Sequence, residues 1–312
     1  MSWDAAYRNC HLCPRRCGVD RTRGQRGVCG QTDACRVASV GPHFGEEPSF
    51  SGTRGSGTIF FSGCPCRCFF CQNYQISLEG MGETLAPDQL HRAAADLAAS
   101  GVHNLNLVTP DHFWPHVREL CRRLRENGLA IPILYNCSGY ERPEMIPPIA
   151  EAVDIFMPDF KYAQPELAAA CMAAADYPET ALASLMKMVE CKGFLEPFDP
   201  TRATPARTGV LVRHLVLPGH VENSFAALRR LRHEFGRMLP LSVMSQFRPM
   251  PECGRRGLLT APLAAAEYER VCAEVEELGF EQVYLQPLLL DSGFTPDFRR
   301  DEPFDGNRGR RP

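Results

Sequence analysis

The sequence predicts an α/β protein: a partial (β/α) barrel behind a small cysteine-rich N-terminal extension. Three observations carry this. From Thr58 onward, short apolar runs alternate with longer amphipathic ones, the pattern of parallel β/α units whose sheet is buried on both faces. About seven strand-like runs can be found, fewer than the eight of a closed barrel. Residues 1–55 instead hold Cys10, Cys13, Cys17, Cys29 and Cys35 among glycines and few large apolar side chains. A segment of that composition needs a metal to fold. The division expected is therefore 1–55 as a cysteine-rich metal-binding segment, 56–290 as the barrel, and 291–312 as a polar tail that frays or drapes over the surface.

Composition bounds the function. With 312 residues, 44% hydrophobic and 23% charged, the chain is ordinary for a globular protein. Its net charge of −3 points neither to nucleic acid nor to an anionic membrane. The lead up to Arg54 carries eight arginines against five acidic residues, but the rest of the chain is acidic and the lead has few aromatics. A zinc-stapled nucleic-acid binder is thus disfavoured. No apolar run approaches the ~20 residues that span a bilayer. The start, MSWDAAYRNC, has neither the basic end nor the apolar core of a signal peptide. Fifteen cysteines without such a signal imply a cytoplasmic protein whose thiols serve metals rather than disulfides.

In order, the strand Thr58-Ile59-Phe60-Phe61 runs into Ser62-Gly63 and a cysteine loop. Ala86–Ser100 reads as a helix with Leu90, Ala94 and Leu97 on one face. A strand at 104–109 ends at Pro110, and Asp111 is expected to cap a helix through Arg125. Strands follow at 131–135 and 153–157, a helical pair at 164–191, and a strand at 209–217 containing Arg213 and His214. Helix 223–236, strand 240–245, helix 262–279 and strand 281–286 complete the series. In parallel β/α folds chemistry gathers at the carboxyl ends of strands. Those ends carry Cys64–Cys71, Thr109-Pro110-Asp111-His112, Asn136-Cys137-Ser138-Gly139, Asp159 with Lys161, Pro218-Gly219, Gln246 and Gln286.

The loop after the first strand holds Cys64, Cys66, Cys68 and Cys71. Cys64, Cys68 and Cys71 are spaced C-x3-C-x2-C, which supplies three thiolates to one corner of a cubane cluster. Ordinary ferredoxin sites use four. Three leave a metal position open, the mark of a catalytic site. Cys66 is expected to stand by; as a fourth ligand it would close the cluster. Upstream, Cys10, Cys13, Cys17 and Cys29 are spaced C-x2-C-x3-C-x11-C and form a candidate second site, for zinc or for a second iron–sulfur cluster.

The strand followed by Cys64-x3-Cys68-x2-Cys71, with Phe70 before the last cysteine, resembles the radical S-adenosylmethionine (radical SAM) superfamily. That resemblance implies a 4Fe–4S cluster on Cys64, Cys68 and Cys71, with S-adenosylmethionine on the open iron. It also implies reductive cleavage of that cofactor to a 5′-deoxyadenosyl radical, which abstracts a hydrogen atom, within a TIM-like partial barrel. Over residues 8–290 the chain is similar to pyruvate formate-lyase-activating enzymes and to their relatives with a cysteine-rich N-terminal segment. The likeness implies a cofactor pocket built by Phe70, Asn73, Asn136, Asp159, Lys161 and Arg213. Many superfamily members carry Gly-Gly-Glu after the second strand; here Val108-Thr109-Pro110-Asp111 stands in its place. Thr109 and Asp111 are candidates for that role. The implied partners are a flavodoxin- or ferredoxin-type electron donor and a partner enzyme whose glycine loses the hydrogen atom. Another macromolecule or a small molecule is an alternative substrate, and a non-catalytic two-cluster electron carrier is the rival function.

Bland roles stand beside these. Asp159 and Lys161 can be a surface ion pair of little worth. Arg213, in an apolar strand, needs an anionic partner, for which the carboxylate of S-adenosylmethionine is one candidate. His112 and His116 are expected to be satisfied separately rather than to share a metal. His214 belongs either to the core or to the pocket.

Overall fold

The computed structural model describes residues 3–201, 203–288 and 295–304. Its strands, in chain order, are β1 (Arg36–His43), β2 (Ser56–Phe61), β3 (Glu83–Thr84), β4 (Leu105–Val108), β5 (Ile133–Cys137) and β6 (Ile155–Pro158), then β7 (Gly209–Val210), β8 (Val212–Leu215), β9 (Leu241–Met244) and β10 (Val283–Leu285). One sheet runs β3-β1-β2-β4-β5-β6-β7 and a second runs β10-β9-β8. A parallel bridge between Asp159 and Arg213 joins them, and Phe160 N donates to Arg213 O at 2.7 Å. The pairing from β2 through β10 is parallel throughout, and β1 and β3 add an antiparallel edge. Among the described residues no pairing closes β10 onto β1 or β3. This is the expected partial (β/α) barrel.

Side-chain alternation divides the sheet into two faces. Ile59, Phe61, Leu105, Leu107, Ile133, Tyr135, Phe156 and Val212 join the main core under the outer helices. Leu134, Ile155, Met157 and Leu211 face inward and pack with Phe50 and Tyr284. The helix Pro87–Ala99 buries Leu90, Ala94 and Leu97, the stripe read from the sequence. Pro87 opens it at a position where the missing N–H is harmless. Burying each leucine stabilises the fold by roughly 1.5–3 kcal/mol.

The structure corrects several boundaries. The lead contributes a strand that its composition does not announce: β1 has eight residues and pairs with β2, Val40 opposite Ile59. RVASVGPH mixes alanine, serine, glycine and proline, which strand propensity does not favour. Pairing to the buried β2 holds it. The run at 209–217 splits at Leu211 into β7 and β8, which belong to different sheets. Asp111 caps no helix. It opens a 3₁₀ turn (Asp111–Phe113), and the α-helix Trp114–Glu126 begins after Phe113 without a side-chain cap. Of the tail, 291–294 and 305–312 lie outside the described residues. Within 295–304, Phe298 is buried edge-on against Phe60, and Gln75 Nε2 donates to Asp297 at 2.9 Å. That part is packed rather than frayed.

Candidate active site

Every residue of β2 is buried, so its carboxyl end is a fixed platform for the loop that follows. Gly63 makes the turn at φ +84, and a Cβ there would lie 2.6 Å from Cys29 O. Only glycine lets the loop press so closely against the lead. Cys64 and Cys71 are partly exposed, whereas Cys68 is buried. Cys66 N donates to Cys64 Sγ at 3.4 Å. The Cys66 thiol also hydrogen-bonds that sulfur and, with backbone N–H groups of Arg67 and Cys66, holds Cys64 below the usual thiol range against burial. Burial pushes Cys68 up to about 12, opposed by the Lys161 ammonium, and raises Cys71 as well. Cys66, 1% exposed, packs beside Cys64 and supports it through these hydrogen bonds.

Lys161 and Asp159 form an ion pair, each side chain about one-fifth exposed (22%), at the end of β6. Burial alone would depress Lys161, but Asp159 and the nearby Cys68 and Cys66 sulfurs raise it, so it stays charged. Tyr177 Oη accepts from Lys161 N and donates toward the Ser138 and Asp159 carbonyls, all at 2.9 Å. One hydroxyl therefore ties the ends of β5 and β6 together. Gly139 sits at φ +78, where a Cβ would be 2.0 Å from Asp159 O. Asn136 shares the inward face with Leu134, and Thr109, at φ 55, donates its N–H to Asn136 O at 2.8 Å. A β-branched residue in the left-handed region is a strained turn that aims the strand end. Asn73 directs its backbone N–H at Cys71, and Phe70 packs edge-on against Phe247.

The strand-end glutamines join the same ring. Gln72, next to Cys71, donates to Gln246 O at 2.6 Å, and Gln286 Nε2 reaches Gln246 Oε1 at 3.0 Å. Other candidates resolve differently. Arg213 already has anionic partners, Glu46 and Glu47, and its side chain is 12% exposed. Against burial, Arg213 holds Glu46 below the carboxylate range, and Asn106 donates to Glu46 at 2.8 Å. No vacancy is left for an external carboxylate as its necessary partner. Glu46 and Glu47 were missed because an acidic pair in a Gly/Pro loop reads as exposed. His214 is a core residue, bonded to Phe160 O at 2.7 Å and to Ser224 Oγ at 2.9 Å. His112 Nε2 bonds Ser62 O and His116 Nδ1 bonds Tyr7 Oη, each at 2.7 Å, so each ring has its own partner. Asp111 lies beside Tyr135 and Glu141.

In the lead, Cys10, Cys13 and Cys29 are buried and Cys17 partly so. Their sulfurs act on one another electrostatically, and Val28 N donates to Cys17 Sγ at 3.3 Å. Arg21, fully buried, donates to Cys10 Sγ at 3.7 Å and to His112 O at 2.6 Å, with its guanidinium 4.6 Å from the Tyr7 ring centre. Arg15 clamps the lead onto Pro65 O at 2.9 Å and Ala173 O at 2.6 Å. At Cys64, Cys68 and Cys71, three thiols after a fully buried strand offer three ligands to a cubane cluster and leave its fourth iron open.

Among the described residues no helix is long and apolar enough to cross a membrane. The profile of the radical SAM superfamily matches residues 58–231. Two uncharacterized proteins of Methanocaldococcus jannaschii are similar over most of the chain. MJ0674 is 24% identical, covering 89% of this chain and 77% of its own. MJ0808 is 24% identical, covering 88% and 80%. The crystal structure of methylornithine synthase (PylB) superposes with a TM-score of 0.46 at 16% identity, covering 71% of this chain and 60% of that one.

Proposed function

Because the chain belongs to the radical SAM superfamily, whose members use a 4Fe–4S cluster and S-adenosylmethionine, we propose that it is an activase-type enzyme abstracting hydrogen from a glycine of a partner protein. The observation that carries the reading is the loop itself: Cys64, Cys68 and Cys71 stand at the carboxyl end of the first parallel strand, facing the polar strand ends. A cluster and S-adenosylmethionine bound there would supply the radical chemistry that hydrogen abstraction needs. The protein positions, and it keeps out water and oxygen. Cys64, Cys68 and Cys71 would hold the iron, with N–H groups of Cys66, Arg67 and Asn73 aimed at the sulfurs. Lys161 places a fixed positive charge beside the thiolates, where it favours their anionic form. Asn136, Thr109 and Asp159 line the adjoining strand ends and are the proposed contacts to the methionine and ribose parts, with Phe70 and Asn73 bracing the loop. Arg213 supports this pocket from below, through Glu46 and Glu47. A flavodoxin- or ferredoxin-type protein in the cytoplasm would deliver the electron. The lead is proposed to carry a second metal centre on Cys10, Cys13, Cys17 and Cys29.

The test uses anaerobically reconstituted, dithionite-reduced protein given S-adenosylmethionine. The parent should release 5′-deoxyadenosine and Cys68→Ala none. A loaded, reducible cluster that yields no product would sink the reading. Cys66→Ala should keep the cluster; its loss would reveal a closed four-thiolate site and an electron carrier. Deuterium moving from a labelled partner glycine into 5′-deoxyadenosine would establish the glycine target, and label from another molecule would replace it.

A further inference from the structure

Behind the strand ends lies a group the reaction above does not use. Asp111 opens the turn after β4, Cys137 ends β5, and Glu141 follows four residues later. Their ligand atoms lie within 4.8 Å of one another. The three residues are 4%, 2% and 3% exposed. All four carboxylate oxygens lack a hydrogen-bond partner. The Tyr135 hydroxyl, on a side chain with no exposure, also lacks one, and it interacts electrostatically with Asp111 and Glu141.

These oxygens are held in place while being left unsatisfied. His112 Nε2 on Ser62 O (2.7 Å) and Phe113 N on Pro110 O (2.9 Å) fix the Asp111 turn. Ser184 Oγ donates to Glu141 O at 2.6 Å, and the Tyr140 hydroxyl donates to Asp176 at 2.8 Å. Glu141's strongest charged neighbours are Asp111 and Asp159, of like sign. Two adjacent buried carboxyls without donors are costly unless something neutralises them. Burial raises both, Asp111 to about 6, so only protons or a cation can keep the pair.

The geometry points to a divalent cation, of the Zn²⁺ or Fe²⁺ class, bound by Asp111, Cys137 and Glu141 and separate from both cysteine centres. The thiolate selects this class over Mg²⁺ and Ca²⁺. Three protein ligands leave a fourth position, on the side where Tyr135 Oη lies. Binding forms one sulfur and two oxygen bonds to the metal and releases to solvent the Cys137 proton together with the protons that the carboxyl pair holds without the ion. No electron is exchanged. The ion pins the end of β4 to the end of β5 beneath the cysteine loop. The site does not depend on the radical reading.

The test titrates Zn²⁺ alone into anaerobically isolated, chelator-washed full-length protein carrying its iron–sulfur content. Bound zinc and iron are read by mass spectrometry and the reduced cluster by electron paramagnetic resonance. The parent should take up one equivalent more Zn²⁺ than Asp111→Asn/Glu141→Gln, with unchanged iron and an unchanged resonance signal. Cys137→Ser, which keeps both carboxylates and the side-chain size, should weaken that equivalent by about 10- to 100-fold, and it carries the comparison if the double variant does not fold. Equal zinc uptake by parent and variants would overturn the site. So would a protonated-carboxyl infrared band in the zinc-treated parent that vanishes in Glu141→Gln, since the pair would then share a proton.

Discussion

Two sets of buried acid flank β4, and the protein treats them oppositely. On the inner face, Glu46 and Glu47 meet Arg213 and Asn106, so charge and hydrogen bonds are supplied from within the chain. Around the turn after the same strand, Asp111 and Glu141 find no donor and no cation among their described hydrogen-bond partners. The first set is complete as folded. The second is complete only with something added. A buried charge with a partner is a structural device, whereas a buried charge without one marks a place where a ligand or a proton belongs.

The comparison can be broken first at Arg213. Arg213→Ala would leave two carboxylates buried beside each other, and its expected loss is about 3–5 kcal/mol by denaturant unfolding. Replacing all three charges together, as Glu46→Gln/Glu47→Gln/Arg213→Met, should recover most of that loss. If the single variant costs under about 1 kcal/mol, the inner set is not desolvated as described.

Tyr177→Phe comes next. It removes a hydroxyl serving Ser138 O, Asp159 O and Lys161 N, and should cost about 1–3 kcal/mol. Because it loosens the β5 and β6 ends together, turnover of S-adenosylmethionine should fall further than stability predicts. Equal turnover per folded molecule would show that those ends need no tie.

The smallest effect concerns His116. Burial first, then Arg21, lowers it from 6.5 to about 4. A group depressed on folding contributes stability that is present above its unfolded value and lost as pH falls through the folded one. Stability should therefore decline between pH 6.5 and about 4, and His116→Gln should flatten part of that limb in thermal melts. An unchanged acid limb would assign the decline to other groups.

Much of the outer architecture was legible because its signals are local. The helix stripe Leu90, Ala94 and Leu97 repeats at helical spacing, and the apolar runs at 58–61 and 133–135 declare themselves as strands. The C-x3-C-x2-C loop is likewise read within eight residues. What escaped was non-local. β1 is a strand because β2 pairs with it, not because its residues favour one. Asp111 resembled a helix cap, a residue type with a local rule, yet its carboxyl lies beside Tyr135 and Glu141 from the next unit and is left without a hydrogen-bond partner.

By itself, then, the sequence determined most of the strands and helices from β2 onward, the cluster loop and the family's chemistry, since periodicity and spacing act over a few residues. Only the tertiary structure decided which buried charges have partners. Arg213 and Glu47 stand 166 positions apart, and Asp111 and Glu141 stand on successive strand ends. Whether a charge is compensated depends on what surrounds it in three dimensions, and residue type alone does not carry that.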